Sequence, residues 1–341
     1  MKIFWETFTI QPKHPFKISR TTGHEAGAER VWVHIECDGV EGWGEADPNS
    51  YYGESADTVI AALEQMRPVI DAAREPEALE SIERDIERAV NHSGSARAAV
   101  STALHDLVGK RAGLPLWKIW GLSPAEAPPS SFTIGLDEPD VLRRKVEEAA
   151  GYPILKVKLG TDRDEEVLRI IREGAGDKVL RVDANAAWQA EEALEKIAML
   201  ADFGVEFVEQ PLPPADRDGY RFLHGKSVLP VIVDESCVDS SDIPGLVGLA
   251  DGINIKLAKC GGPREGLRMI HTARSCGLEV MMGCMLESTL GIAPAAHLAS
   301  LLDYADLDGA ALLAEDPFVG PGLRGEEIHV GDGPGLGVER A

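Results

Sequence analysis

"ILKVKLG", residues 154–160, is a short apolar run between Pro153 and Gly160 that reads as a buried strand, yet it carries Lys156 and Lys158. Side chains two apart on a strand point to the same face. Two like charges therefore stand side by side on what is otherwise a core strand. Outward from this stretch, beginning after the proline-rich "SPAEAPPS" (123–130), strand-like and helix-like segments alternate roughly every 25 residues, about one βα unit. The candidate strands are "SFTIGL" (131–136), "ILKVKLG" (154–160), "VLRVDAN" (179–185), "FVEQPL" (207–212), "VIVDES" (231–236), "GINIKLAK" (252–259), "EVMMGCM" (279–285) and "DLDGAAL" (306–312). Between them lie amphipathic stretches such as "EEVLRIIREG" and "REGLRMIHTARSCG", helical by apolar spacing and ended by glycine. Eight parallel strands with helical crossovers predict a TIM-type α/β barrel.

Residues 1–122 read differently. "IFWETFTI" and "VWVHIECDGVEGWGEA", the latter turned at Asp38-Gly39, look like antiparallel strands, and "SARAAVSTALHDLVGKRAG" looks helical. This is a separate α+β domain. No barrel helix follows the eighth strand; the tail 314–341 is expected to return to the first domain, leaving 123–313 as the barrel. "GDGPGLG" in the tail resembles a dinucleotide loop only superficially, since Pro334 interrupts it and no helix follows.

The chain of 341 residues is 44% hydrophobic and has enough apolar material for one large domain or two ordinary ones. Its net charge of −23 argues against nucleic acid or an anionic membrane as partner and favours a small molecule. Five cysteines (37, 237, 260, 276, 284) without a CxxC pair suggest reduced thiols and a cytoplasmic protein. No basic-then-apolar leader precedes the fold, and no apolar run approaches the roughly 20 residues of a membrane span. A homo-oligomer is expected.

Barrel chemistry collects at the C-terminal ends of the strands. There the second strand offers Lys156 and Lys158, the third Asp183, the fourth Glu209, the fifth Asp234 and the sixth Lys256. The three carboxylates, 26 and 25 residues apart, converge on one side of the mouth as the hard oxygen ligands that Mg²⁺ prefers. "LKVKLG", "RVDANAAW", "VEQPL", "VDES", "INIKLAKCGG" and "GCMLEST", with "GWGEA" and "YGES" in the first domain, together resemble the enolase superfamily, in its muconate-lactonising subgroup and dipeptide-epimerase branch. That resemblance implies a (β/α)7β barrel under an α+β capping domain. It also implies Mg²⁺ on Asp183, Glu209 and Asp234, a lysine on each side of the substrate, an ene-diolate intermediate, and Cys284 and Met285 among the substrate contacts.

Geometry points the same way, because the second and sixth of eight strands lie diametrically opposite. Lys158 and Lys256 then face each other across the mouth, and a carboxylate substrate held between them could lose a proton to one and regain it from the other. A lysine of ordinary pKa is neutral at pH 7 only at a cost of about 4–5 kcal/mol, which a second ammonium at Lys156, a nearby divalent cation and desolvation would reduce. Lys156 would also donate to the substrate carboxylate; Lys259 lies past the active end of its strand and is secondary. Asp306 and Asp308, opposite the metal, suit the free amine of a dipeptide. The loops 19–27 and 47–55 are polar and glycine-containing enough to form a lid, and Arg20 could pair with an acidic side chain such as glutamate. His105, His271 and His297 read as helical residues without ligand spacing. The expected activity is dipeptide epimerisation with L-Ala-D/L-Glu as the default substrate. N-acylamino-acid racemase, o-succinylbenzoate synthase, cycloisomerase and an idle ligand-binding barrel remain as alternatives.

Overall fold

The computed structural model of the chain describes residues 1–15, 17–20 and 27–341. Three antiparallel strands open it: β1 (Lys2–Ile10), β2 (Ala28–Cys37) and β3 (Val40–Ala46). The β2–β3 connection is the two-residue turn Asp38-Gly39, with φ of 54° and 78°. Positive φ at both central residues suits the right-handed strand twist and explains the Asp-Gly pair. Helices α1 (Ala56–Ala72), α2 (Leu79–Ala89), α3 (Gly94–Ala112) and the short α4 (Leu116–Ile119) follow. Helix α3 is small-residue-rich and buried nearly all round, so it can lie against β3, where Gly42 and Gly44 leave room for its backbone. A cluster of Ile3, Val33, Leu63, Met66, Leu104 and Leu107 forms the core of this capping domain.

The barrel strands are β4 (Phe132–Ile134), β5 (Ile154–Lys158), β6 (Val179–Asp183), β7 (Val205–Glu209), β8 (Val231–Val233), β9 (Gly252–Ile255), β10 (Glu279–Gly283) and β11 (Tyr304–Asp306). They pair in parallel in chain order, and a bridge between Ser130 and Ala305 closes β11 onto the first strand. Helices α5 (Pro139–Glu148), α6 (Asp164–Ala175), α7 (Ala190–Asp202), α8 (Arg217–Leu223), α9 (Leu257–Cys260), α10 (Pro263–Ser275) and α11 (Thr289–Leu298) occupy the crossovers. Only a single turn, Ala310–Leu312, follows β11. This is the (β/α)7β architecture, with a capping domain. Inside the barrel Phe207, Ile232, Met281 and Tyr304 form an apolar plug. Two positions after Phe207, Ile232 and Tyr304 stand three carboxylates of the mouth, Glu209, Asp234 and Asp306.

Two strand frames differ from the sequence expectation. The sixth strand stops at Ile255, because from Lys256 the chain turns into α9, whose Cys260 N donates to Lys256 O; glycines 261 and 262, at φ of 105° and 107°, end that turn. The eighth strand spans 304–306 and not 306–312, since Ser131 N pairs with Ala305 O and Gly309 then starts the single turn. His105, His271 and His297 lie on α3, α10 and α11.

The tail carries β12 (Phe318–Val319), β13 (Gly322–Arg324), β14 (Glu327–His329) and β15 (Glu339–Arg340). Phe318 and Leu336 pack with Trp32 of β2, Leu116 of α4 and Leu290 of α11. Leu336 N donates to Asp106 Oδ1 of α3 at 2.7 Å. "GDGPGLG" (331–337) is an irregular loop with no helix after it. No helix among the described residues is long and apolar enough to cross a membrane.

Candidate active site

The mouth of the barrel gathers the charged residues that alternation along the strands aims inward. Asp183 stands beside Lys158 in the β5–β6 register and beside Glu209 in the β6–β7 register. Lys158 Nζ donates to Asp183 Oδ2 at 2.6 Å. Lys156, one layer deeper and 1% exposed, donates to Asp306 Oδ2 at 2.8 Å and lies 2.6 Å from Glu209 Oε2 and 3.7 Å from Asp183 Oδ2. Burial alone would lower its pKa, but Asp306, Glu209 and Asp183 outweigh burial and hold it well above the usual lysine value. Across the barrel, Lys256 Nζ lies 2.7 Å from Asp234 Oδ2, and burial is again outweighed, chiefly by Asp234, so its pKa is raised. Both lysines of the facing pair are thus held by carboxylates, the opposite of the lysine–lysine repulsion expected to favour a neutral base.

Asp183, Glu209 and Asp234 occupy the ends of successive strands. Among the described residues no three Asp, Glu, His or Cys side chains close into a ready metal cage. Asp183 and Asp234 turn to lysines, and Glu209 Oε1 accepts from Asn254 Nδ2 at 2.8 Å. The donor set nevertheless fits a hard divalent cation. Glu209 Oε2 has an ion-pair neighbour but no hydrogen-bond donor, and burial, then the charge of Asp183, push Glu209 up to about 7. A buried carboxylate so disfavoured as an anion is one that added positive charge would stabilise.

Residues that sequence reasoning passed over, together with Lys259, which it set aside as secondary, fix this arc. Lys259 is fully buried and donates to Asp234 O at 2.6 Å, Asp234 Oδ1 at 2.7 Å and Asn254 O at 3.1 Å. Three acceptors saturate its ammonium, so it orients Asp234 and leaves no proton for exchange. Gln210, at φ of 40°, receives Asp234 N at 2.8 Å and Ser236 N at 3.2 Å on its side-chain oxygen. Asn185 and Ala186 also have positive φ, 48° and 62°, and Asn185 N caps Asp183 Oδ1 at 2.8 Å. Such backbone is uncommon away from glycine and concentrates at functional sites. Asn254 could have been found from its spacing to Lys256 on one strand face; Lys259 was expected to be secondary, and it is α9 that turns its ammonium back onto Asp234.

At the eighth strand, Asp306 is committed to Lys156 and to Ser131 Oγ at 2.6 Å, which keep its pKa low against burial. Asp308 Oδ2 accepts from Thr133 N at 2.6 Å, and Oδ1 lies 3.9 Å from Cys284 Sγ. Burial and then Asp306 push Asp308 up to about 7. Met285 Sδ lies 3.9 Å from Lys256 Nζ and 3.7 Å from Asn49 Nδ2. Arg20 forms an ion pair with Glu235, stacks 4.3 Å from the Tyr51 ring centre and reaches Asn185 O at 3.4 Å. Its charge is thus already matched inside the protein. Of the lid loops, 21–26 lie outside the described residues, and 47–55 folds into the turn Ser50–Tyr52 and the cap of α1.

Residues 141–340 match the enolase C-terminal domain-like family and residues 4–121 the N-terminal domain of mandelate racemase / muconate lactonizing enzyme. The chain belongs to that family, in the enolase superfamily. L-Ala-D/L-Glu epimerase from Bacteroides thetaiotaomicron is 40% identical, over 99% of this chain and 88% of its own. The dipeptide epimerase of Enterococcus faecalis, solved with Mg and L-Leu-L-Tyr, superposes with a TM-score of 0.91 at 34% identity over 99% of both chains. The substrate-liganded L-Ala-D/L-Glu epimerase of Bacillus subtilis does so with a TM-score of 0.92 at 32% identity, again over 99% of both.

Proposed function

We propose that this chain is a Mg²⁺-dependent dipeptide epimerase that inverts the α-carbon of the C-terminal residue by 1,1-proton transfer. The observation that carries the reading is the pair of buried lysines, Lys158 and Lys256, at the ends of opposite strands β5 and β9 with an arc of three carboxylates between them. In one direction Lys158, as the amine, takes the α-proton, and the substrate carboxylate becomes an ene-diolate. Lys256, as the ammonium, returns a proton to the opposite face; the reverse reaction exchanges their roles. Bound by Asp183, Glu209 and Asp234, Mg²⁺ would supply the charge that competes with the lysines for these carboxylates and offsets negative charge on the substrate carboxylate. Lys156, held by Asp306 and Glu209, keeps a fixed positive charge below that carboxylate.

At the other end, Asp308 and Asp306 take the free amine. Among the described residues Asp183, Glu209, Asp234 and Asp306 each have a lysine partner, whereas Asp308 is held by the Thr133 N–H and is left for the cation a free amine brings. An N-acylated amino acid would bring none, which disfavours the racemase alternative. L-Ala-D/L-Glu is the first substrate to assay, with Arg20 the cation for its acidic side chain and Glu235 the internal competitor. The five free thiols support a reducing, cytoplasmic setting.

The test is deuterium incorporation from D₂O at the C-terminal α-carbon across a dipeptide library with Mg²⁺. Exchange that disappears on exhaustive chelation and in Asp234→Asn is expected. Full exchange without metal, or faster turnover of N-acylated amino acids than of any free dipeptide, would overturn it.

A further inference from the structure

The loop after β10, residues 284–287, runs between Lys256 and Asp308 and is held from two sides. On its own side Glu287 Oε1 accepts from Met285 N at 2.8 Å. From the capping domain, Arg30 of β2 donates through Nε to Leu286 O at 2.9 Å and ion-pairs with Asp47 at 2.7 Å. Glu45 of β3 accepts from Ser288 N at 2.9 Å, and also from Ser288 Oγ, at the head of α11. A Cβ on Gly291 would fall 2.7 Å from Glu287 Oε2 and 2.9 Å from Glu45 Oε1, so both carboxylates crowd one small volume over the first turn of α11.

The charges at this joint do not balance. Glu45, Asp47 and Glu287 are buried; Arg30 ion-pairs with Asp47 and acts on Glu45 and Glu287 from farther off. Glu54 and Lys256 act on Asp47 from farther off, and Asp316 of the tail binds Thr289 N at 3.0 Å on the same helix end. Asp47 Oδ2 has no hydrogen-bond partner. We infer that Glu287 is a positioning residue that works in its protonated form, pinning Met285 against Lys256 across the joint between cap and barrel. Burial first, then Asp47, push the Glu287 carboxyl up to about 8. Below that pH the proton removes one of the crowded charges; above it Glu287 ionises beside Asp47 and Glu45, and the loop loosens. Only the effect on turnover rests on Lys256 being an epimerisation base, because the pin is a property of the loop.

The experiment compares the native full chain with Glu287→Gln, Glu287→Ala and Asp47→Asn, all with Mg²⁺. Two readouts are followed from about pH 6 to about pH 10: kcat for an L-Ala-D/L-Glu dipeptide, and amide hydrogen exchange of the peptide 284–291. The native protein should lose kcat along a limb of apparent pKa about 8, and the protection of that peptide, taken against the unstructured-peptide exchange rate at each pH, should fall about tenfold or more over the same interval. Glu287→Gln, a neutral isostere, should keep kcat within about threefold at neutral pH and show neither the limb nor the fall in protection; Glu287→Ala should lose about tenfold at every pH. Asp47→Asn, which removes a charge that raises Glu287, should move the limb to lower pH. Identical pH profiles for native and Glu287→Gln, or a Glu287→Gln kcat as low as that of Glu287→Ala, would overturn the assignment. If the native chain turns over no dipeptide, the exchange arm decides alone: pH-dependent loosening that Glu287→Gln abolishes supports the pin, and its absence in the native protein refutes it.

Discussion

At the scale of residues, the site is a set of competitions for protons and cations. Lys158 and Lys256 are each engaged by one carboxylate, at 2.6 and 2.7 Å, on opposite walls. In the proposed reaction each would address a different face of a substrate held between them. Replacing Lys158 by Ala should stop epimerisation while Lys256 still exchanges the α-proton of one epimer with D₂O, and Lys256→Ala should show the opposite preference. Loss of epimerisation by at least about 10³-fold, read against residual single-epimer exchange by NMR, is the expected pattern. Exchange of both epimers by both variants would contradict two-base geometry. These two lysines and the three carboxylates of the arc were legible because strand alternation alone aims them inward. The internal partners were not: the Arg20–Glu235 and Lys156–Asp306 pairs join residues 215 and 150 positions apart, and no local pattern encodes such contacts.

At the scale of elements, glycine decides how close helices come. A Cβ on Gly42 of β3 would overlap Ala103 O of α3 and approach Leu107 N, both backbone atoms that cannot swing aside. Gly42→Ala should therefore destabilise the chain by about 1–3 kcal/mol or more through overpacking, measured by urea unfolding at constant m-value. An unchanged midpoint would mean that α3 shifts freely on the sheet. The Asp38-Gly39 hairpin and all eight barrel strands were readable from turn chemistry and the repeat of βα units. The two misframed strands show where that reading ends. Alternation in "GINIKLAK" runs straight into α9 because Leu257 and Ala258 satisfy a strand pattern and a helix equally, and "DLDGAAL" looks strand-like although the residues that pair, Tyr304–Asp306, end at its first position.

At the scale of the whole molecule, the tail joins the cap to the barrel, and that junction makes stability a shared property. Leu336 is fully buried among Trp32 of the cap, Leu116 of α4 and Leu290 of α11, its N–H is bound to Asp106 of α3, and its carbonyl lies 3.0 Å from His297 Nε2 of α11. A side chain that touches both bodies couples their unfolding, because neither can open without exposing it. Leu336→Ala leaves a cavity of the size that typically costs about 2–5 kcal/mol. The cap and barrel of the native fold should unfold in one step, seen in a Trp188→Phe background, which removes the tryptophan buried in the barrel core, as coincident thermal transitions by the fluorescence of the remaining tryptophans and by far-ultraviolet circular dichroism, to which the barrel helices contribute. Saturating Mg²⁺ at about 100 times its dissociation constant should stabilise that single transition by about 2.7 kcal/mol, so a ligand of the barrel mouth protects the cap as well. In Leu336→Ala the two signals should separate, with Mg²⁺ raising only the barrel transition. Separate transitions already in the native chain, or a Leu336→Ala variant that still unfolds in one step with both signals moved equally by Mg²⁺, would mean that the coupling runs through the joint at Arg30, Glu45 and Ser288 without need of the tail.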